Sequence, residues 1–264
     1  MKSFLIILIV LGFLAGIYSF FIEPRMLRVK NYTISDEQLR GLRIVFATDF
    51  HLKPYQEKRL EKIIDLINEQ NADLVLSAGD YVSGHKLKST LPVEKIAKGM
   101  ARIKSKYGFY TALGNHDSWI GEGSITSALE KYSVRVLKNE SAAVNINGKN
   151  IYIAGVEDLQ TGTPNIEKAL ENVDGPVILL SHTPDLFIMT PDSVNITLAG
   201  HTHGGQVRLP FIGGIIIPSK FGNRYSMGYV EENNKKIFVS KGIGTSMLNI
   251  RFNCIPEIAV IDFQ

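Results

Sequence analysis

The feature that most constrains this chain is a set of five short apolar runs, each of which leads into a cluster containing Asp, Asn or His. The runs and their clusters are Leu42–Thr48 with Asp49-Phe50-His51, Leu74–Leu76 with Gly79-Asp80, Phe109–Leu113 with Gly114-Asn115-His116-Asp117, Val177–Leu180 with Ser181-His182-Thr183-Pro184, and Ile196–Ala199 with Gly200-His201-Thr202-His203. A short, nearly continuous apolar run is typical of a strand that is buried on both faces. Because ligands in open α/β sheets bind beyond the carboxyl ends of the strands, the five clusters are predicted to meet at one site.

The rest of the chain carries helix and strand patterns that together indicate an α/β fold. Between Glu57 and Gln70, apolar residues recur at the spacing i, i+3, i+4, i+7 of an amphipathic helix. The dipeptide Asn147-Gly148 predicts a type I′ hairpin turn. The other predicted elements are a helix at Val93–Lys104 and strands at Ala142–Ile146, Asn150–Ala154, Tyr225–Glu231, Ile237–Ser240 and Ile258–Asp262, with a polar turn at Asn233-Asn234.

The N-terminus differs in composition from the rest of the chain. Phe4–Ile22 contains no charged residue, and a helix of this length, at about 1.5 Å per residue, matches the apolar core of a bilayer. Residues 1–22 are therefore predicted to form a transmembrane anchor, residues 23–41 a polar linker, and residues 42–264 one globular domain. A cleaved signal peptide is the alternative, although its apolar region is usually only about 7–15 residues long. Arg25, Arg28 and Lys30 follow the span, so the positive-inside rule slightly favours a cytoplasmic globular domain.

Composition excludes several classes of protein. The formal net charge is only +3 and no run of Lys or Arg is interleaved with aromatic residues, so a dedicated nucleic-acid-binding surface is not indicated. The one cysteine, Cys254, excludes a disulfide framework and a cysteine-rich zinc site, and it is predicted to be a buried, unreactive thiol. The oligomeric state is left open by the sequence.

Histidine is scarce and clustered, which favours a metal site. Five of the six histidines lie within the clusters that follow the apolar runs, and neutral imidazole is the commonest protein ligand of transition metals. Each cluster taken alone has a simpler interpretation, since Asn115 could cap a helix, His116 could be a hydrogen-bonded surface imidazole and His182 an ordinary loop residue. The occurrence of all five at predicted strand ends is what favours a shared site.

In this order, the clusters resemble the motifs of the calcineurin-like metallophosphoesterases. The matching residues are Asp49-x-His51, Gly79-Asp80, Gly114-Asn115-His116-Asp117, His182 and Gly200-His201-x-His203, and the resemblance covers about residues 42–264. It implies a catalytic domain built as a four-layer α-β-β-α sandwich of two mixed sheets. Two later segments, Gly204–Pro210 and Gly242–Ser246, resemble a membrane-attached bacterial branch of the family. Some members of that branch are phosphodiesterases, and a related group hydrolyses UDP-2,3-diacylglucosamine.

The resemblance also implies a site for two divalent cations. One would be bound by Asp49, His51 and His203, the second by Asn115, His182 and His201, and the Asp80 carboxylate would bridge both. Two such cations activate water and stabilise the charge that develops on phosphate oxygens. The ligand set contains oxygen and nitrogen but no sulfur, which favours Mn²⁺, Fe or Zn²⁺ over Cu. Among these, the family resemblance implies Mn²⁺, with Fe or Zn²⁺ as alternatives.

Three further residues are assigned roles from their positions. His116 is expected to stabilise the transition state or to protonate the leaving oxygen, because it and Asn115 are adjacent and their side chains diverge. Asp117 would orient that imidazole, with a turn or capping role as the alternative. Arg208 could bind a substrate phosphate or be a solvated strand residue. His85 matches no family motif and is predicted to lie on the surface.

An apolar segment that contains glycine, Phe211–Pro218, directly follows the last histidine cluster. It is predicted to be a strand and turn within the core. The alternative is a loop near the site that touches acyl chains or the bilayer, which would suit a lipid-linked substrate.

The motifs depart from those of phosphoprotein phosphatases, which carry Asp and Arg shortly after Gly-Asp, and Glu after Asn-His. Here Tyr81-Val82-Ser83-Gly84 follows Gly79-Asp80, and Asp117 follows His116. The expected substrate is therefore a phosphodiester or pyrophosphate, lipid-linked or nucleotide-containing, that is cleaved at the membrane of a bacterial cell. The alternatives are a membrane-tethered phosphatase or nuclease that acts on soluble substrates and a metal-binding scaffold without turnover.

Overall fold

The computed structural model describes all 264 residues as five α-helices and fourteen strands. The helices are α1 (Lys2–Ile17), α2 (Glu57–Asn68), α3 (Val93–Met100), α4 (Asn115–Lys131) and α5 (Ile166–Ala169). The strands are β1 (Arg28–Ile34), β2 (Arg43–Phe46), β3 (Leu74–Ser77), β4 (Phe109–Thr111), β5 (Val134–Val136), β6 (Glu140–Ile146), β7 (Lys149–Gly155), β8 (Val177–Ser181), β9 (Ile196–Ala199), β10 (Arg208–Leu209), β11 (Gly213–Gly214), β12 (Gly228–Glu232), β13 (Lys235–Val239) and β14 (Glu257–Phe263).

Twelve of the strands form two six-stranded mixed sheets. The first has the order β1-β14-β2-β3-β4-β5, in which β2 to β5 are parallel and β14 is antiparallel to β2. The second has the order β12-β13-β9-β8-β7-β6, in which β13, β9, β8 and β7 are parallel. The five polar clusters thus follow three neighbouring strands of the first sheet and two neighbouring strands of the second.

The two sheets pack face to face because alternate residues of each strand point to opposite faces. Ile44 and Phe46 of β2 are fully buried in one apolar cluster with Ile178 and Leu180 of β8. Val45, between them, belongs instead to the cluster that contains the helices. The near-continuous apolar runs are therefore explained by burial on both faces, as predicted.

Helices cover the outer face of each sheet. The four apolar residues of α2 that the helical spacing singled out, Leu60, Ile63, Ile64 and Ile67, are all buried against the first sheet together with residues of α3 and α4. The short α5 and the helical turn Pro184–Met189 cover the second sheet. This is the four-layer α-β-β-α sandwich of two mixed sheets that the family resemblance implied, and the prediction is confirmed.

The segment predicted to be a polar linker, residues 23–41, contains a strand. β1 pairs in parallel with β14 over seven residues, from Arg28 opposite Glu257 to Ile34 opposite Phe263. Its pattern is mostly exposed, as expected of an edge strand, and only Ile34 is buried. The linker prediction is therefore wrong for this stretch, because a polar edge strand lacks the apolar run that marked the central strands.

The N-terminal helix continues past α1 through a π-helical turn, Tyr18–Ile22, and a 3₁₀ turn, Glu23–Arg25. The helix over Lys2–Arg25 is long and apolar enough to cross a membrane, and most of its side chains are exposed. Its far end is attached to the domain: the Ser19 carbonyl accepts a 2.9 Å hydrogen bond from the Arg251 N–H, and the buried Glu23 carboxylate accepts one from the Asn253 N–H.

The apolar segment Phe211–Pro218 does not lie in the core, contrary to the prediction. It forms the tip and return strand of the small β10–β11 hairpin, and its large side chains are exposed. Cys254, by contrast, is buried as predicted.

Candidate metal centre

The carboxyl ends of the five predicted strands meet where the two sheets face each other. The residues at these ends that were predicted to bind metal are all buried: Asp49, His51, Asp80, Asn115, His182, His201 and His203. Their imidazole, carboxylate and amide groups form two adjoining groups, which are described in turn.

The first group consists of Asp49, His51 and His203. The Nε2 atoms of the two imidazoles are 3.0 Å apart, and Nε2 of His203 is 3.5 Å from Oδ1 of Asp49. One ligand atom from each of these residues lies within 4.8 Å of the other two. Three side chains from two strand ends, one in each sheet, therefore converge on one point.

The second group consists of Asn115, His182 and His201. Nε2 of His182 is 3.0 Å from Oδ1 of Asn115 and 3.1 Å from Nδ1 of His201. The two imidazoles of Gly200-His201-Thr202-His203 thus belong to different groups, as the family resemblance implied.

Asp80 lies between the two groups. Its Oδ2 atom is 3.4 Å from Nε2 of His51 and 3.4 Å from Nε2 of His182. The other oxygen, Oδ1, accepts a 2.9 Å hydrogen bond from the backbone N–H of His116. Oδ2 is thus equally far from an imidazole of each group, which is the placement that a bridging ligand requires.

The backbone at the site is strained. Asp49, His51, Asp80, His201 and His203 all have positive φ, between 43° and 67°. Residues other than glycine adopt this region only when the surrounding structure holds them there, and such strain concentrates at functional sites. The strand ends turn sharply at these residues, which brings their side chains together.

Two glycines allow the groups to approach so closely. A Cβ at Gly114 would lie 2.2 Å from Oδ1 of Asp80 and 2.7 Å from the His182 ring. A Cβ at Gly200 would lie 2.2 Å from Oδ2 of Asp49. Any side chain at these two positions would displace a carboxylate of the site.

Burial and mutual charge shift the pKa values of the site strongly. Burial raises the pKa of the Asp49 carboxyl to about 7 and lowers that of the His51 imidazole to about 3. For His182 burial acts to lower the pKa, but the carboxylates of Asp80 and Asp49 raise it to about 10. Buried carboxylates packed against imidazoles form an environment that favours added positive charge.

Two buried polar atoms of the first group have no hydrogen-bond partner, namely Oδ2 of Asp49 and Nδ1 of His51. A buried carboxylate oxygen without a partner is costly. The orphaned oxygen, the convergence of imidazole nitrogens and carboxylates, and the absence of sulfur ligands all fit divalent metal ions. These residues therefore fit the ligand roles that the sequence predicted.

His116 lies beside the two groups, and with His51 and Asp80 it forms a further set whose ligand atoms lie within 4.8 Å of one another. Nδ1 is 3.2 Å from the Gly84 carbonyl, Nε2 is 3.4 Å from Oγ of Ser246, and the ring stands edge-on to that of His51 with centroids 4.5 Å apart. Donation from Nδ1 to the carbonyl would leave Nε2 as the nitrogen available to a substrate. Burial lowers the pKa of this imidazole.

Asp117 does not contact the His116 imidazole. Its carboxylate accepts hydrogen bonds from the backbone N–H groups of Asp80 at 2.7 Å, Tyr81 at 2.9 Å and Gly114 at 3.1 Å. The predicted orienting role is therefore wrong, and the alternative of a turn or capping role describes it better. Asp117 ties the loop after β3 to the start of α4 and so holds Asp80 and Asn115 in register.

Arg208 contacts the loop after His203. Its guanidinium donates a 2.7 Å hydrogen bond to the Gly204 carbonyl and a 3.3 Å one to Oγ of Ser226. Both bonds come from Nη1, so the guanidinium has further donors, and its binding of a substrate phosphate stays a prediction.

Several residues around the site were not singled out by the sequence. Gln160 Nε2 is 2.8 Å from Nε2 of His201, and the backbone N–H of Gln160 donates to the buried Asp158. Both residues come shortly after β7, the neighbour of β8. Selecting polar residues that follow a predicted strand, as was done for the other clusters, would therefore have included them. His85, predicted to be an ordinary surface residue, is exposed but stacks on Trp119 with ring centroids 4.3 Å apart, close to His116.

This arrangement of strand ends and side chains matches a known family. The family model described as calcineurin-like phosphoesterase matches residues 42–205. The chain belongs to the calcineurin-like metallophosphoesterases. It is 32% identical to the uncharacterized metallophosphoesterase YkuE of Bacillus subtilis (strain 168), over 94% of this chain and 89% of that protein. It is 26% identical to the phosphodiesterase YaeI of Escherichia coli (strain K12), over 93% of this chain and 91% of that protein.

The solved structures extend the likeness of fold. A 5′-nucleotidase precursor from Thermus thermophilus aligns with a TM-score of 0.50 and 18% identity, over 77% of this chain. This metallophosphoesterase spans about half (49%) of the length of that structure. Family membership makes the chain a metal-dependent hydrolase of phosphoric esters, and divalent metal ions are its cofactors.

Proposed function

We propose that this metallophosphoesterase hydrolyses a phosphodiester or pyrophosphate bond in a lipid-linked or nucleotide-containing substrate at a membrane. The observation that carries the chemistry is the Asp80 carboxylate, whose Oδ2 lies 3.4 Å from an imidazole of each group. It supports a site for two metal ions in which Asp49, His51 and His203 hold one, Asn115, His182 and His201 hold the other, and Asp80 bridges them.

The bound metal ions would supply an activated water and positive charge for the phosphate oxygens. The chain's own contribution is to fix the ligands and to place one further imidazole. Nε2 of His116 lies 3.4 Å from Oγ of Ser246, a partly exposed residue at the edge of the site. We assign this nitrogen to the leaving oxygen. Because Nδ1 donates to the Gly84 carbonyl, Nε2 would deliver a proton or a hydrogen bond in the transition state from the imidazolium form, which carries a proton on both nitrogens. The oxygen and nitrogen ligands suit Mn²⁺, Fe or Zn²⁺, and among these we propose Mn²⁺ from the resemblance to the family.

Two observations support a diester or pyrophosphate over a phosphoprotein. The motif residues after Gly79-Asp80 and after His116 depart from those of phosphoprotein phosphatases, and one relative that aligns over 93% of this chain is named a phosphodiesterase. The membrane assignment is supported by the N-terminal helix, which is long and apolar enough to span. We propose a single-pass anchor with the catalytic domain on the cytoplasmic side, which the charges that flank the helix slightly favour.

The test is turnover by the full-length protein in detergent, first with bis-p-nitrophenyl phosphate and added Mn²⁺, Fe²⁺ or Zn²⁺. Turnover that requires metal is expected from the parent and lost in Asp80→Asn. A folded, metal-loaded protein without turnover would leave only a metal-binding scaffold and refute the proposal. The substrate class is then decided by comparing UDP-2,3-diacylglucosamine and phospholipids in mixed micelles with a panel of soluble nucleotides. Preference for the soluble panel would favour the tethered phosphatase or nuclease instead.

A further inference from the structure

We propose that two exposed apolar loops beside the metal centre form a bilayer-binding rim that holds the catalytic site against the membrane surface. This inference deepens the proposed function and rests on its membrane assignment. The apolar rim consists of Phe211, Ile212, Ile215 and Ile216 of the β10–β11 hairpin and Met247 and Leu248 of the loop after β13.

Exposure of the rim is not incidental. Phe211 is fully exposed, Met247 is 98% exposed and Ile216 is 78% exposed. Scattered exposed apolar residues are ordinary, but a cluster of large ones marks an interaction surface. Here two of the largest exposed side chains outside the N-terminal helix sit at the tips of neighbouring loops.

The backbone conformation at these tips indicates that the apolar side chains have a function there. Phe211 has a φ of 67° and Met247 a φ of 55°. Outside the metal centre, the other non-glycine residues with positive φ are polar, mostly Asn. Asn, Asp or Gly would meet the backbone requirement with less strain. A bulky apolar residue that is strained and exposed gains nothing from folding, so its benefit must come from a partner.

Hydrogen bonds join the two loops to each other and to the catalytic site. The Gln206 amide pairs with the backbone of Ser246, and the Arg208 N–H donates to the Phe252 carbonyl at 2.9 Å. Oγ of Ser246 is 3.4 Å from Nε2 of His116. The two loops therefore lie beside the imidazole that faces the substrate, and hydrogen bonds hold them to each other.

The loop that carries Met247 and Leu248 also receives the end of the N-terminal helix. The Arg251 N–H donates to the Ser19 carbonyl at 2.9 Å, and the Asn249 amide donates to the Phe20 carbonyl at 3.2 Å. If the N-terminal helix spans the bilayer, these bonds fix this loop at the membrane surface. The attachment of the N-terminal helix would thus bring the rim to the bilayer, which is the partner that we propose for it.

Charge is compatible with this placement. No Asp or Glu occurs between Gln206 and Val230 or between Asn233 and Pro256. Of the basic residues in these stretches, Arg224, Lys236 and Lys241 pair with carboxylates and Arg251 is buried. The rim therefore carries no acidic group that anionic lipid would repel, and its attraction to the bilayer rests on the apolar side chains.

The test places an indole on the rim of the full-length protein. The single native tryptophan is removed by Trp119→Phe, and Phe211→Trp is introduced in that background. The protein is reconstituted into phosphatidylcholine–phosphatidylglycerol vesicles in which the phosphatidylcholine carries bromine on its acyl chains. The matched control is Lys149→Trp in the same background, since Lys149 begins β7 at the end of the second sheet opposite the metal centre.

The expected result is a blue-shifted emission and marked quenching by the brominated lipid for Phe211→Trp, and neither for Lys149→Trp. Emission at position 211 that responds to aqueous iodide but not to brominated lipid would overturn the proposal. Protection from iodide without quenching by brominated lipid would also overturn it, because a second protein chain would then cover the rim.

A second variant separates the rim from the chemistry. Phe211→Asp combined with Ile216→Asp should leave hydrolysis of bis-p-nitrophenyl phosphate unchanged. In the Trp119→Phe background with Met247→Trp, the same two acidic substitutions should reduce quenching of the indole by brominated lipid. Equal quenching with and without the acidic substitutions would contradict the rim. A parent without turnover would instead refute the proposed function, while the quenching result would still decide whether the rim meets the bilayer.

Discussion

At the residue scale, the proposed site has two kinds of side chain, those that would hold metal and one that would face the substrate. His116→Ala should retain metal yet lose roughly 10²–10⁴-fold in kcat, the range typical of general acid–base catalysis. Asp80→Ala should lose metal itself, because Oδ2 of Asp80 lies between the two groups. Metal content after gel filtration and kcat on bis-p-nitrophenyl phosphate measure the two effects. His85→Ala, which removes a neighbouring exposed imidazole, is the control and should keep the rate near that of the parent. Full activity in His116→Ala would exclude this division.

Asp117 tests whether a residue next to the site acts on the imidazole or on the backbone. Asp117→Asn replaces an acceptor oxygen by an NH₂ group that faces backbone N–H groups of Asp80 and Gly114. An unsatisfied buried donor costs about 1–3 kcal/mol, so the melting temperature should fall, by roughly 2–4 °C for each kcal/mol in a domain of this size. Thermal unfolding of the metal-free protein measures this. An unchanged melting temperature with a lowered kcat would instead restore the role of orienting His116.

At the element scale, the edge strand β1 contributes to the fold although its sequence is polar. A chain that starts at Leu27 keeps the strand and its seven pairs with β14, whereas a chain that starts at Asp36 exposes the edge of β14 and removes buried Leu27 and Ile34. Burial of each such side chain is worth about 1.5–3 kcal/mol. The shorter chain should therefore melt at a lower temperature and aggregate through its open edge. Light scattering and thermal unfolding of the two chains measure this, and identical behaviour would show that β1 is dispensable.

The elements that sequence predicted are those with a strong periodic signal. β2, β3, β4, β8 and β9 are nearly continuous apolar runs, and α2 buries the four residues that its spacing indicated. α4 escaped prediction because Gly121, with a φ of 137°, kinks it and its apolar residues form no clear stripe. Phe211–Pro218 was assigned to the core because composition alone does not distinguish a buried apolar run from an exposed one.

The site was predictable to a similar degree and for a related reason. Candidate metal ligands can be recognised by their residue type and their position after a strand, so the buried histidines and carboxylates could be selected from the sequence. The role of Asp117 could not, because it depends on which backbone N–H groups a distant loop presents. Asp158 and Gln160 follow β7 in the same manner as the other clusters and needed only the same rule.

At the scale of the whole molecule, the metal centre joins the two sheets, so metal binding should stabilise the entire domain. Asp49, Asp80 and Asn115 come from the first sheet, and His182 and His203 come from the second. Free metal at about 100 times its Kd would add about 2.7 kcal/mol for one site, or several degrees in melting temperature at roughly 2–4 °C per kcal/mol. Chelation by EDTA should therefore lower the melting temperature of the parent, and added Mn²⁺ should restore it.

The matched control for this effect is Asp49→Asn, which keeps the side-chain size but removes the buried charge whose Oδ2 has no partner within the chain. Above about pH 7, to which burial raises the pKa of the Asp49 carboxyl, the metal-free parent carries a buried charge that the variant lacks, so at that pH the variant should melt no lower than the metal-free parent. The melting temperature of the variant should also change less than that of the parent when EDTA or Mn²⁺ is added. Differential scanning calorimetry of both proteins, with and without metal, measures the four values. An equal response of parent and variant would mean that the ion acts elsewhere than between the two sheets.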